Sequence, residues 1–229
     1  MRILHIASKS VGLLAILSLA GTVSAQDRSP MLLNALEVQQ LVKHGEPDDQ
    51  ARLSAHFSAL GDRYAAEAQK HSAMSHGFAG NPNRNMGVGM SAHCTRLADL
   101  NTQSAATARE LAAYHEKLAS GRPAILPSDA TRFHEGAGAL TPTPKELRAL
   151  SANARKASDQ RAIEEYFRTL ATRYTAEANE HVALAQTYRG TRIAHAAVNQ
   201  DHLASLLRDE AKEATEAAEM HKDLAGVAR

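Results

Sequence analysis

Apolar positions recur along this chain in alternating steps of four and three, and one such run occurs twice. The first copy reads LSAHFSALGDRYAAEAQKHSAM from Leu53 to Met74, and the second reads IEEYFRTLATRYTAEANEHVAL from Ile163 to Leu184. At an offset of 110 residues Phe57 aligns with Phe167, Leu60 with Leu170, Tyr64 with Tyr174, Glu67 with Glu177 and His71 with His181. A seam with this spacing is the inner face of an amphipathic helix. It predicts one long helix from about Asp48 to Ser75 and another ending near Tyr188.

Each long helix is followed by a second. From Met90 to Ala119 the seam is His93, Leu97, Leu100, Ser104, Thr107/Ala108, Leu111, His115 and Leu118. The last helix spans about Arg192 to Ala225, where MHKDLA at Met220 repeats YHEKLA at Tyr114. Counting back from there aligns Leu203 with Leu97, Leu206 with Leu100, Asn199 with His93 and Gln200 with Cys94. GFAGNPNRNMGVG, from Gly77 to Gly89, reads as a turn too rich in Gly, Asn and Pro for helix, whereas Gly190-Thr191 is a tight one. Pro30 to His44 reads as a short helix, and the stretch from Pro144 echoes it. Pro47 with Asp48 and Asp49 suits a helix start.

The fold class implied is all-α: a four-helix bundle made of two repeated αα-hairpins, each preceded by a short helix. The boundaries are a signal peptide at 1–25, hairpin repeat 1 at 26–119, a Pro/Gly-rich linker at 120–143 and hairpin repeat 2 at 144–229, with both repeats in one bundle. A stacked solenoid is the alternative, but two repeats would leave both ends uncapped. The long linker leaves the relative direction of the second and third long helices open.

Arg2 and Lys9, the apolar run Val11 to Val23, and Val23-Ser24-Ala25 before Gln26 have the layout of a secretory signal. The run is short of the ~20 residues of a membrane span, so cleavage is expected rather than anchoring, with no span afterwards. The expected location is periplasmic or secreted. Removing Arg2 and Lys9 takes the net charge from +1 to −1, and this near-neutral balance argues against a nucleic-acid partner. Aromatics make up 4% of the chain and Trp is absent, as expected of helices packed through small side chains. The single Cys94 excludes an internal disulfide. It leaves an inert thiol, a metal ligand or a homodimer bridge.

The seam also carries polar residues that a plain apolar bundle would omit. Glu67 and His71 share a helix face one turn apart, and Glu177 and His181 repeat them. A carboxylate and an imidazole facing a bundle interior are costly unless paired or bound to an ion. His93 begins the next helix just across the turn from His71, and Cys94 adjoins it, with Met74, Met86 and Met90 nearby. Glu67, His71, His93, Cys94, Glu177 and His181 are therefore the candidate metal ligands, with copper or zinc as the ions their donors suit. The spacing is Glu-x-x-x-His, not the Glu-x-x-His of di-iron bundles. His115 and His221 are expected to meet Asp49 and Asp159 at helix ends, and His56 to lie at the surface or seam edge. No haem-attachment, phosphate-loop, nucleophile-elbow or zinc-protease motif occurs, so a non-enzymatic role is expected. Two readings remain: an exported bundle that binds a transition metal through inward Glu and His residues, or a structural or protein-interaction bundle of the cell envelope in which the same residues set helix register.

Overall fold

The computed structural model describes residues 32–81, 84–120 and 142–227, and of residues 82–88 no side chain. The signal segment and most of the linker lie outside the described residues, as does the side chain of Met86. The described residues form six helices and no strand: α1 Ala35–His44, α2 Pro47–Ala79, α3 Arg84–Leu118, α4 Pro144–Asn153, α5 Ala157–Arg189 and α6 Ala196–Val227. None of them is long and apolar enough to cross a membrane.

Local chemistry explains most of the boundaries. Asn34 caps α1 in a reciprocal box with Glu37, and Gly45 ends it in the left-handed region at φ 72°. Pro47 opens α2, with Asp48 and Asp49 in the first turn. Thr143 and Glu146 form the box that starts α4.

The Gly77–Gly89 turn is shorter than the sequence suggests. α2 continues to Ala79 and α3 starts at Arg84. Two of the glycines serve close approach rather than chain reversal. A Cβ on Gly77 would lie 2.0 Å from Ser151 Oγ and 2.6 Å from the Arg148 carbonyl oxygen, so α4 lies directly on α2 there. Gly89 admits Met220 of α6, whose methyl carbon would be 3.2 Å from a Cβ. Phe78 is buried and its ring lies 5.5 Å from that of His221, which holds the last turn of α2 helical despite the ~1 kcal/mol that a helical glycine costs.

α2 packs along α3, and α5 along α6; α3 lies against α6, α4 against α2, and α1 touches both α2 and α5. α2 and α3 are antiparallel, since Gln50 meets His115 and Ser75 meets Ser91. α5 and α6 are antiparallel too, with Gln160 at His221 and His181 at Gln200. α3 and α6 also run in opposite directions, with Ser104 at Glu210 and His93 at Glu213. It follows that α3 runs parallel to α5, and α2 antiparallel to α5. Seam residues Leu53, Phe57, Tyr64, His71 and Met74 of α2 are buried, as are Ile163, Phe167, Tyr174, His181 and Leu184 of α5.

Gly77→Ala is expected to destabilise the protein by ~1–3 kcal/mol in urea denaturation, because a methyl group must displace α4 backbone. Gly80→Ala, whose Cβ would meet nothing closer than 3.5 Å, is the control expected to change little.

Candidate metal centre

Where α2 and α5 meet, their inward polar residues bond one another in matched pairs. Tyr64 Oη lies 3.4 Å from His181 Nε2, and Tyr174 Oη lies 3.4 Å from His71 Nε2. Arg63 donates to Glu177 at 2.7 Å, while Arg173 reaches Glu67 at 3.5 Å and Glu177 at 3.6 Å. Tyr64 also donates to Glu177 at 3.1 Å, and Asn101 of α3 donates to Tyr174 Oη at 3.1 Å. Burial pushes the Glu67 carboxyl up, but Arg173 and Lys70 outweigh it and leave the group below its ordinary value.

The six sequence-predicted ligands do not share one coordination sphere: among the described residues, no three of them bring ligand atoms within 4.8 Å of one another. Glu67 and Glu177 are held by arginines. His181 donates from Nδ1 to Gln200 Oε1 at 2.6 Å. His71 stacks on Phe167 at 6.3 Å, and its Nδ1 has no partner. Cys94 is fully buried, and burial pushes its thiol pKa far up, with Glu213 adding to the effect. A disulfide to a second copy would therefore require local opening. Because α2 and α5 run antiparallel, His71 and His181 lie at different heights and each faces the other helix's tyrosine.

His93 instead faces α6. Its Nδ1–H donates to Glu213 Oε1 at 2.5 Å, and Glu216 stands one turn further along α6. One ligand atom from each of His93, Glu213 and Glu216 lies within 4.8 Å of the other two, the group of three among the described residues able to hold a metal. Glu213 is buried, His93 half-buried and Glu216 exposed, so the group opens outward. Arg96 donates to Glu213 Oε2 at 3.2 Å, and Lys212 lies 4.0 Å from Glu216. One imidazole and two carboxylates suit a borderline divalent ion such as zinc. The sequence carried a signal for Glu213 that a search of the α2 and α5 repeats alone passes over. The register aligning His115 with His221 puts Glu213 opposite Thr107, a seam position.

Other interior polar residues also differ from expectation. His115 donates from Nδ1 to Gln50 at 2.6 Å and bonds Tyr188 Oη at 2.8 Å, while His221 donates to Gln160 at 2.6 Å. The helix-end partners are thus the glutamines one position beyond Asp49 and Asp159, because Gln50 and Gln160 face inward and are buried. His56 is buried, its Nδ1 accepting from the Leu33 N–H at 3.0 Å. Glu210 is fully buried, bonded to Ser104 at 2.8 Å, and burial pushes its carboxyl up to about 8.

Comparison of the chain with protein-family models, with curated proteins and with solved structures finds no match.

These ionisations set a stability profile. Burial is the leading cause that lowers His71, His115, His181 and His221 to about 4 and His56 to about 3. An unfolded imidazole titrates near 6.5, so the stability these residues contribute is complete above about pH 6.5 and is lost as the pH falls toward 4. Glu210 has the opposite sign: its contribution is complete below about pH 4.5 and is lost as the pH rises through about 8. Urea denaturation from pH 4 to 9 should show declines on both sides, and Glu210→Gln should flatten only the alkaline one. An unchanged alkaline decline in that variant would contradict the assignment.

Proposed function

We propose that this chain is an exported, non-catalytic helical protein that binds a divalent transition metal such as zinc through His93, Glu213 and Glu216. The observation that carries the reading is the convergence of one imidazole and two carboxylates from facing helices within 4.8 Å. In this reading α2, α3, α5 and α6 form one four-helix bundle of two related hairpins. The ion would then join the first hairpin, through His93, to the second, through Glu213 and Glu216. Zinc holds N and O ligands at about 2.0–2.2 Å, which places them about 3.3 Å apart. Rotation of the exposed Glu216 side chain supplies the closure. The ion would take the place of the hydrogen between His93 Nδ1 and Glu213, which the neutral ring can carry on Nε2 instead, and would displace Arg96 from Glu213. The layout of residues 1–25 supports export.

The pairing of Arg96 with Glu213 favours a second reading: a structural bundle in which His93, Glu213 and Arg96 fix α3 against α6 without a metal.

Zinc titration by calorimetry at pH 7.5 separates the two. About one equivalent is expected to bind, and His93→Ala, Glu213→Gln and Glu216→Gln are each expected to weaken it by 10-fold or more, with Cys94→Ala unaffected. Protein that takes up no zinc, or variants that bind like the parent, would favour the structural reading. Mass spectrometry of the exported protein should find Gln26 at the N-terminus; a retained leader would count against export with cleavage.

A further inference from the structure

The hydrogen bonds of the long helices follow two offsets. α2 and α5 correspond at 110 residues, and α3 and α6 at 106: Gln50 with His115 and Gln160 with His221 make the same bond at the same 2.6 Å. Tyr64 with His181 and Tyr174 with His71 match likewise at 3.4 Å. Burial agrees along α3 and α6, where Met90, Cys94, Leu97, Ala108 and His115 are buried, and so are Ala196, Gln200, Leu203, Ala214 and His221.

This correspondence places one side chain opposite another. In α5 and α6, His181 Nδ1 donates to Gln200 Oε1. The matching positions in α2 and α3 are His71 and Cys94. His71 is fully buried, its Nδ1 has no hydrogen-bond partner, and its Nε2 lies 3.4 Å from Tyr174 Oη. With the hydrogen on Nε2, Nδ1 carries a lone pair, and by the correspondence with His181 and Gln200 it would be directed to the position of Cys94. The thiol ends where glutamine has Cγ, about 2.4 Å short of the amide oxygen. Carried over from the 2.6 Å bond of His181 to Gln200, a thiol at the glutamine Cγ position would stand roughly 4–5 Å from Nδ1. That is too far for a hydrogen bond and close to the ~4.3 Å span of an ion bound linearly between a thiolate and an imidazole.

We propose that Cys94 Sγ and His71 Nδ1 form a buried copper(I) site, separate from the His93–Glu213–Glu216 group. Two soft thioethers flank it: Met74, one turn beyond His71 on α2, and Met90, one turn before Cys94 on α3, both fully buried. The corresponding positions in the other pair hold Leu184, Ala196 and Gln200, so the soft residues concentrate at this one place. Copper(I) rather than zinc follows from charge. A thiolate and a monovalent ion make a neutral pair that a dry interior accepts, whereas a divalent ion would leave a net positive charge unsolvated. On binding, the Cys94 S–H bond is replaced by S–Cu, the proton leaves to solvent, and copper stays in the +1 state throughout. His93, on the neighbouring residue, faces Glu213 and takes no part.

The test is anaerobic competition for copper(I) supplied as its bicinchoninate complex, with ascorbate present. The parent protein is expected to withdraw about one equivalent, with sulfur and nitrogen in the copper X-ray absorption spectrum. Cys94→Gln is expected to lose 100-fold or more in copper affinity while keeping its helical signal, because Gln200 shows that glutamine fits the matching place. Cys94→Ala, which removes the sulfur without adding bulk, should lose the same if the larger residue disturbs the core. His93→Ala should leave copper uptake unchanged, so the two sites succeed or fail independently. A parent protein that takes no copper(I), a Cys94→Gln or Cys94→Ala variant that competes as well as the parent, or a copper shell free of sulfur would overturn the proposal.

Discussion

Everything in this interior depends on keeping imidazoles neutral and hydrogen-bonded where water does not reach. His56, His71, His115, His181 and His221 are all buried, and burial holds each well below its ordinary pKa. A neutral ring that finds no partner costs on the order of 1–3 kcal/mol. The chain supplies glutamines and tyrosines at the heights where the rings arrive: Gln50, Gln160 and Gln200 for Nδ1, and Tyr64, Tyr174 and Tyr188 for Nε2. Much of the surrounding core is alanine, which offers little relief to stop one helix sliding along another. A 2.6 Å bond does not survive a slide of one turn, ~5.4 Å, so these pairs fix the relative heights of the helices.

The helices themselves were legible because their apolar periodicity is strong. The Leu53–Met74 and Ile163–Leu184 seams are buried at the positions the spacing selects. Composition misled at Gly77 and Gly89, where glycine admits a neighbouring helix instead of ending one. Partner identity was off by one residue at Asp49 and Asp159, since a helix turns ~100° per residue and only the next position, glutamine, points inward. The antiparallel course of α2 and α5 was not legible because it is set by contacts across helices rather than by local pattern. The same blindness hid Glu213 and Glu216 as partners of His93, although the register that aligns Gln200 with Cys94 reaches Glu213 from Thr107.

His93 and Cys94 show how adjacent residues of one helix divide between environments. The ring of His93 emerges at the α3–α6 contact beside two carboxylates and an arginine, where solvent can compensate a divalent charge. The thiol of Cys94 turns into the sealed interior. Donor hardness and burial vary together: the imidazole and carboxylates lie at the open position, the thiol in the closed one. Glu67 and Glu177 lie against the largely buried Arg173 and Arg63, whereas the arginine on Glu213, Arg96, is mostly exposed and free to swing into solvent.

The most direct measurement is a crystal of the zinc-soaked protein with diffraction recorded above and below the zinc absorption edge. One anomalous peak between the side chains of His93, Glu213 and Glu216, with Arg96 turned away from Glu213, is the expected result. A map with no peak there, or with its strongest peak at Glu67, His71, Glu177 or His181, would contradict the assignment of the metal centre.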